Sequence, residues 1–169
     1  MFAYLSVASG IHCVGFWVYQ LGFLFQEPKY RCVLRDGADT SVCTSANICA
    51  GDGRILDWSV DWAHDNSLHN WHEQFDLQCW PKAQIGFMSS LYFLGWCFAV
   101  LWTPRLGDVY GRKWVVTFNN LACLFIYLGV LFAPNVNFLA AVIFIDGLFM
   151  PVRTGVSFMY LMELVPADW

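Results

Sequence analysis

The sequence predicts an all-α membrane protein with four transmembrane helices and one large, cysteine-containing external loop. Three observations carry that prediction. Of 169 residues, 58% are hydrophobic and 18% aromatic, with nine Trp and fifteen Phe, while only 13% are charged; a soluble domain carries about a quarter. The apolar residues gather into uncharged runs close to the length a bilayer core demands, about 20 residues in a helix. Most of the charges collect in two interruptions of opposite sign. The basic residues form no stripe or run, so no nucleic-acid partner is expected.

The first run, Met1 to Phe25, contains no charged residue and predicts transmembrane helix 1 over 1–25. A cleaved signal peptide is the alternative, but the run lacks a basic n-region and a small-residue cleavage site before Gln26. Residues 26–82 form the external loop. Ala83 to Thr103 is again uncharged and predicts helix 2 over 83–103. The segment TPRLGDVYGRKW follows, with Arg105, Asp108, Arg112 and Lys113 packed into a short loop, 104–113. Trp114 to Ile145 is uncharged but divided by Pro134, Asn135 and Asn137, which predicts helix 3 over 114–133 and helix 4 over 138–164.

Charge sets the expected orientation. The 104–113 loop carries three basic residues and one acid, whereas 26–82 carries five basic residues and nine acids. Short basic loops stay in the cytoplasm. The 104–113 loop and both termini are therefore expected inside, with the long segment outside or in a lumen. The protein is expected to be an integral, multi-pass protein of the plasma membrane, with an organelle membrane as the alternative.

Four of the seven cysteines, Cys32, Cys43, Cys49 and Cys79, lie in the external loop. An even set in a polar external segment predicts two disulfides, with three pairings open. His64, His69 and His72 share the loop, but cysteine spacings of 11, 6 and 30 contain no CxxC pair, so no metal site is expected. No cofactor is expected either, and no Asn-x-Ser/Thr sequon occurs.

Helix 4 carries Asp146, Arg153 and Glu163. An ionisable group in mid-bilayer costs at least a few kcal/mol, so it normally faces a partner or a watery path. Asp146 and Arg153 are seven apart, two helical turns, and point to nearly the same side. Pro151 between them is expected to bend the helix and free a backbone carbonyl. Gly86 and Gly95 in helix 2, with Gly147 and Gly155 in helix 4, are small residues of the kind that let membrane helices approach.

Several stretches now carry a resemblance. LGDVYGRKW resembles the signature between the second and third helices of the major facilitator superfamily, Asp-x-x-Gly-Arg-Lys/Arg. PKYRC resembles the start of the large external loop in that family's organic cation/anion transporter branch. NWHEQFDLQC resembles the branch's acidic stretch before helix 2, and RTGVSFMYLMELVP its fourth helix. The resemblance covers nearly the whole chain, in order. It implies the first four helices of a twelve-helix fold and a secondary transporter for small organic ions working by alternating access. It further implies a cytoplasmic gate formed by Arg105, Asp108, Gly111, Arg112, Lys113 and Glu163. Within that gate Arg112 would pair with Glu163, and Asp108 would face a helix start in the other half of the molecule. Gln20, Asp146, Arg153 and Tyr160 are the implied pathway residues, with no catalytic residue among them. Two positions depart from the pattern: Pro104 stands where glycine is usual, expected to alter packing at the end of helix 2, and Val109 where a basic residue is usual.

A twelve-helix carrier holds substrate between two six-helix halves. Four helices supply neither a closed half nor an opposing one, so the chain alone is not expected to transport. Its expected partners are the lipid bilayer, the missing transporter helices or other membrane subunits, and a small organic ion when complete. The rival reading is a transporter-derived or junction-type membrane subunit with a scaffolding role. Junction proteins usually show Gly-Leu-Trp beside a close cysteine pair, which this loop lacks. An enzyme is not expected, since no nucleophile–base spacing or phosphate-binding glycine loop is present.

Overall fold

Pro104 and Gly111 bracket the one stretch where expectation and structure part most clearly. The computed structural model describes residues 18–35, 39–50 and 55–164. The expected first span therefore falls largely outside the described residues; what is described of it is a helix, α1, over residues 18–24. The chain divides into two compact units, one comprising Gln20–Ile85 and the other Gly86–Trp169 together with Met1–Tyr19.

The first unit corrects the all-α fold class, because the segment expected to be the external loop contains strands. Strands β1 (Tyr30–Leu34), β2 (Asp39–Cys43) and β3 (Ile55–Val60) form an antiparallel sheet in the order β2-β1-β3. Alternation in YRCVL turns Tyr30 and Cys32 into a small core with Cys43 while Arg31 and Val33 stay exposed. Short helices α2 (Ser45–Cys49) and α3 (Trp71–Gln74) and a 3-10 turn at Leu77–Cys79 complete the unit. Of the three possible pairings the cysteines adopt Cys32–Cys43, which staples β1 to β2, and Cys49–Cys79, which joins α2 to the 3-10 turn.

Asn70 holds this unit to the end of α1. Its amide nitrogen donates to the carbonyls of Phe23 (3.0 Å) and Gln26 (2.8 Å), while its oxygen accepts from the backbone N–H groups of His72 and Glu73. One buried side chain thus satisfies carbonyls at a helix end and amides at the next helix start, groups with no partner inside their own helices. Phe25 meets Trp71 edge-on beside it, at 5.3 Å between ring centroids.

His72 is 2% exposed, and burial pushes its imidazole below its usual range against the opposing pull of Glu27. Burial also pushes Glu27 up, but hydrogen bonds to Ser45 and Lys82 and the charge of Lys82 outweigh it and hold the carboxyl low. The signs follow from linkage. Just below the free imidazole value, about 6.5, the unfolded chain binds the proton that buried His72 refuses, so stability falls as pH drops through that window. Glu27 adds a loss only below its own unfolded value of about 4.5. The melting temperature of the purified protein is therefore expected to fall between about pH 7 and pH 5.5, and His72→Gln to flatten that slope.

The second unit is helical: α4 (Lys82–Ala99, which begins in the first unit), α5 (Thr103–Tyr110), α6 (Arg112–Leu131), α7 (Val136–Pro151), a π-helical segment at Val152–Val156, and α8 (Ser157–Leu164). Among the described residues two helices are long and apolar enough to cross a membrane, α6 and the 29-residue run Val136–Leu164. The pair α4–α5 makes a third if it is counted as one span bent by 49°. The bend has a local cause. Pro104 has no N–H to give the carbonyl four residues back and clashes with it, so the helix breaks and restarts with Pro104 in its first turn. Thr103 Oγ1 donates to the Ala99 carbonyl at 2.6 Å, filling one freed acceptor.

The 104–113 stretch, expected to be a loop, is therefore helical through Tyr110, and the turn is confined to Gly111 at φ +86°. α6 and the run Val136–Leu164 lie within two residues of the limits expected for helices 3 and 4, although α7 itself ends at Pro151. Asn135 caps α7 by accepting from the Phe138 N–H at 2.8 Å. Beyond Pro151, whose missing N–H interrupts the ladder, the backbone widens into π turns. Two glycines bring α4 and α7 into backbone contact. A Cβ on Gly147 would run into the Tyr92 carbonyl oxygen, and one on Gly95 into that of Phe144. Gly86 and Gly155 have open space instead.

Candidate functional site

Two charge clusters stand out in the helical unit, both anchored on the α7–α8 helix. In the first, Arg153 of the π segment and Asp146 of α7 are 2% and 0% exposed. Arg153 Nη2 donates to Asp146 Oδ1, and Nη1 donates to Tyr127 Oη at 3.0 Å. The guanidinium carbon lies 5.7 Å from the Tyr127 ring centroid, a cation–π distance. Two ions taken out of water recover their hydration energy only with very good geometry, so such a pair is a poor source of net stability. Its polar satisfaction is also incomplete, since Asp146 Oδ2 and Arg153 Nε have no hydrogen-bond partner among the described residues.

The second cluster is built on the Gly-Arg-Lys turn. Gly111 occupies a backbone region that side chains with a Cβ rarely enter, and this lets α6 start directly after α5. Arg112 Nη1 then bonds Glu163 Oε1 of α8 at 2.5 Å, and its Nη2 lies 3.8 Å from Asp108, one turn back across the junction. α5 reaches this position because Gly107 lies against Val156, where an added Cβ would come within 3.1 Å of Val156 Cγ1. Val116, Val152 and Val156 form the apolar floor, with Tyr160 and Leu161 against them. A cleft of about 480 Å³ opens among Asp108, Arg112, Tyr160 and Glu163. Arg105 and Lys113 are exposed.

Of the expected pathway residues, Asp146 and Arg153 are thus in contact. Tyr160 is placed instead with the Gly-Arg-Lys cluster, and half-buried Gln20 belongs to the disulfide-bearing unit. Tyr127 on α6, which bonds Arg153, went unnoticed in the sequence, as did buried Tyr92 on α4 and Asn119 on α6. Asn119, Cys123 and Tyr127 fall at helical spacing on one face of α6, the one signal that could have marked them.

No curated protein and no solved structure matches the chain. A family model does. Residues 47–168, more than half of the chain, match the model described as Major Facilitator Superfamily. An ion pair inside an apolar helical unit, and a Gly-Arg-Lys turn held to the end of the helix that carries that pair, are therefore features of a chain that belongs to the Major Facilitator Superfamily.

Proposed function

We propose that these helices form the N-terminal part of a secondary transporter for small organic ions, working by alternating access as one half of the carrier moves against the other. The observation that carries the reading is the Asp146–Arg153 pair, fully buried in an integral membrane protein of this family. Charged residues at such depth are expensive and mark a substrate or ion path by default. The branch resemblance supplies the substrate class, organic ions, and the topology: four spans, the disulfide-bearing unit outside, and the Gly-Arg-Lys turn in the cytoplasm. Asp146, Arg153 and Gln20 serve the path; Tyr160 sits where the path meets the cytoplasmic gate.

Exposed ion pairs contribute only about 0–1 kcal/mol, so the Arg112–Glu163 contact, with Glu163 55% exposed, is not retained for stability. It serves as a latch on the cytoplasmic side, closed in the outward-open state. The test reconstitutes the chain with the helices that complete the carrier and follows uptake of a labelled quaternary ammonium ion and a labelled aromatic carboxylate. Saturable uptake of either, lost in Arg153→Gln, is the expected result; uptake of neither overturns the reading. Arg112→Glu is expected to lower labelling of an outward-facing cysteine, and adding Glu163→Arg to restore it. A double mutant no better than the single one would remove the latch from the mechanism.

A further inference from the structure

Among the described residues, six buried side-chain N or O atoms have no hydrogen-bond partner, and five of the six are in the helical unit: Tyr92 Oη, both amide atoms of Asn119, Asp146 Oδ2 and Arg153 Nε. Native interiors leave few such atoms, and each one asks for a partner. These five belong to four residues that are all 2% exposed or less.

The backbone shows how the four are gathered. The Tyr92 carbonyl abuts Gly147, the residue after Asp146, so Tyr92 is held beside the acid. On α6 the face bearing Val116, Asn119, Cys123 and Tyr127 is turned toward the π segment. Val116 packs on Val152 and Val156, and Tyr127 bonds Arg153. Asn119 is between these contacts, one turn from Val116 and one from Cys123.

From this placement we infer that α4, α6 and the α7–π helix enclose a binding site for water, a small cluster bridging Tyr92, Asn119 and the free edges of the Asp146–Arg153 pair. The chemistry narrows the occupant. While Asp146 and Arg153 stay paired they balance each other, so an ion resident beside the closed pair would be an uncompensated charge in an apolar surround. The occupant is therefore neutral. It must donate to Asp146 Oδ2 and Asn119 Oδ1 and accept from Arg153 Nε and Asn119 Nδ2, which water does and which a purely donating or accepting group does not. A buried water typically makes about three hydrogen bonds, so a small cluster can serve the five unpartnered atoms.

The site goes beyond the transport reading and does not depend on it. Its consequence for the pair is direct. Separating Asp146 from Arg153 in a dry interior would strip both charges of partners, whereas water already bonded to each can follow them apart.

Hydroxyl-radical footprinting by X-ray pulses tests it on the intact protein in lipid nanodiscs, in ¹⁸O water, because radicals form from waters already bound beside a side chain. Tyr92 (0% exposed) and Tyr30 (2% exposed, in the apolar core of the other unit) are matched phenols. Labelling of Tyr92 several-fold faster than Tyr30 is expected, falling toward the Tyr30 rate in Asn119→Leu, whose side chain offers water no hydrogen bond. Tyr92 labelled no faster than Tyr30 in the unaltered protein would overturn the site, and that comparison needs no variant to fold.

Discussion

Replacing Arg153 by leucine is expected to destabilise the helical unit by about 3–5 kcal/mol, whereas Asp146→Leu combined with Arg153→Leu is expected to recover most of that loss. The single change leaves Asp146, with no exposed surface, without the guanidinium that bonds it. It must either stay ionised in an apolar surround or take up a proton, and both states cost more than the paired one. The double change removes both ions together with the incomplete bonding at Asp146 Oδ2 and Arg153 Nε. Exchanging a buried ion pair for apolar groups of similar volume is often neutral or stabilising. The measurement is thermal unfolding in detergent, run beside the uptake assay. Stability recovered without uptake would separate a functional pair from a structural one. A double mutant as unstable as Arg153→Leu would show that the pair is needed for folding.

Gly147→Val should separate α4 from α7 and cost about 3 kcal/mol, the upper part of the usual overpacking range. The added Cβ would overlap the Tyr92 carbonyl oxygen, and it would also lie 3.0 Å from the Tyr92 carbonyl carbon and 3.2 Å from Gly95 Cα. All of these are backbone atoms, so no side-chain rotation relieves the overlap. Gly86→Ala is the control: nothing lies within 4 Å of its Cβ, so it should gain up to about 1 kcal/mol from helix propensity alone. Melting temperatures of the two variants moving in opposite directions is the expected outcome. Equal tolerance at both positions would mean that the close approach of the two helices is dispensable.

Sequence patterning located the helices better than their ends. α6 and the Val136–Leu164 run emerge within two residues of the predicted limits because apolar runs bounded by Gly111 and by Pro134–Asn135 leave little choice. α5 was hidden by its own charges. Arg105 and Asp108 read as loop in a hydropathy count, although on a helix they sit on the exposed side while Gly107 faces Val156. The sheet was missed for another reason. Five- and six-residue strands gain their order from each other and from the Cys32–Cys43 staple, a long-range cause that no local window contains. Within the site, Asp146 and Arg153 declared themselves by being charged in an apolar run. Tyr92, Asn119 and Tyr127 are neutral, which lets them pass as ordinary membrane residues until neighbouring helices bury them. Tyr160 reads as a pathway residue in the sequence, and only the cleft that it shares with Glu163 puts it beside the Gly-Arg-Lys turn.

The widened turns at Val152–Val156 set the rotational phase of the whole α7–α8 rod. A π bulge accommodates one residue more than regular α turns would, so tightening it without deleting that residue would swing everything beyond by about 100° and advance it about 1.5 Å. Glu163 would then leave Arg112 while Asp146, upstream of the bulge, kept its bearing. One end of this rod can thus be geared to the other through a single slipped residue, as a cam turns a shaft that is held fixed at its far bearing.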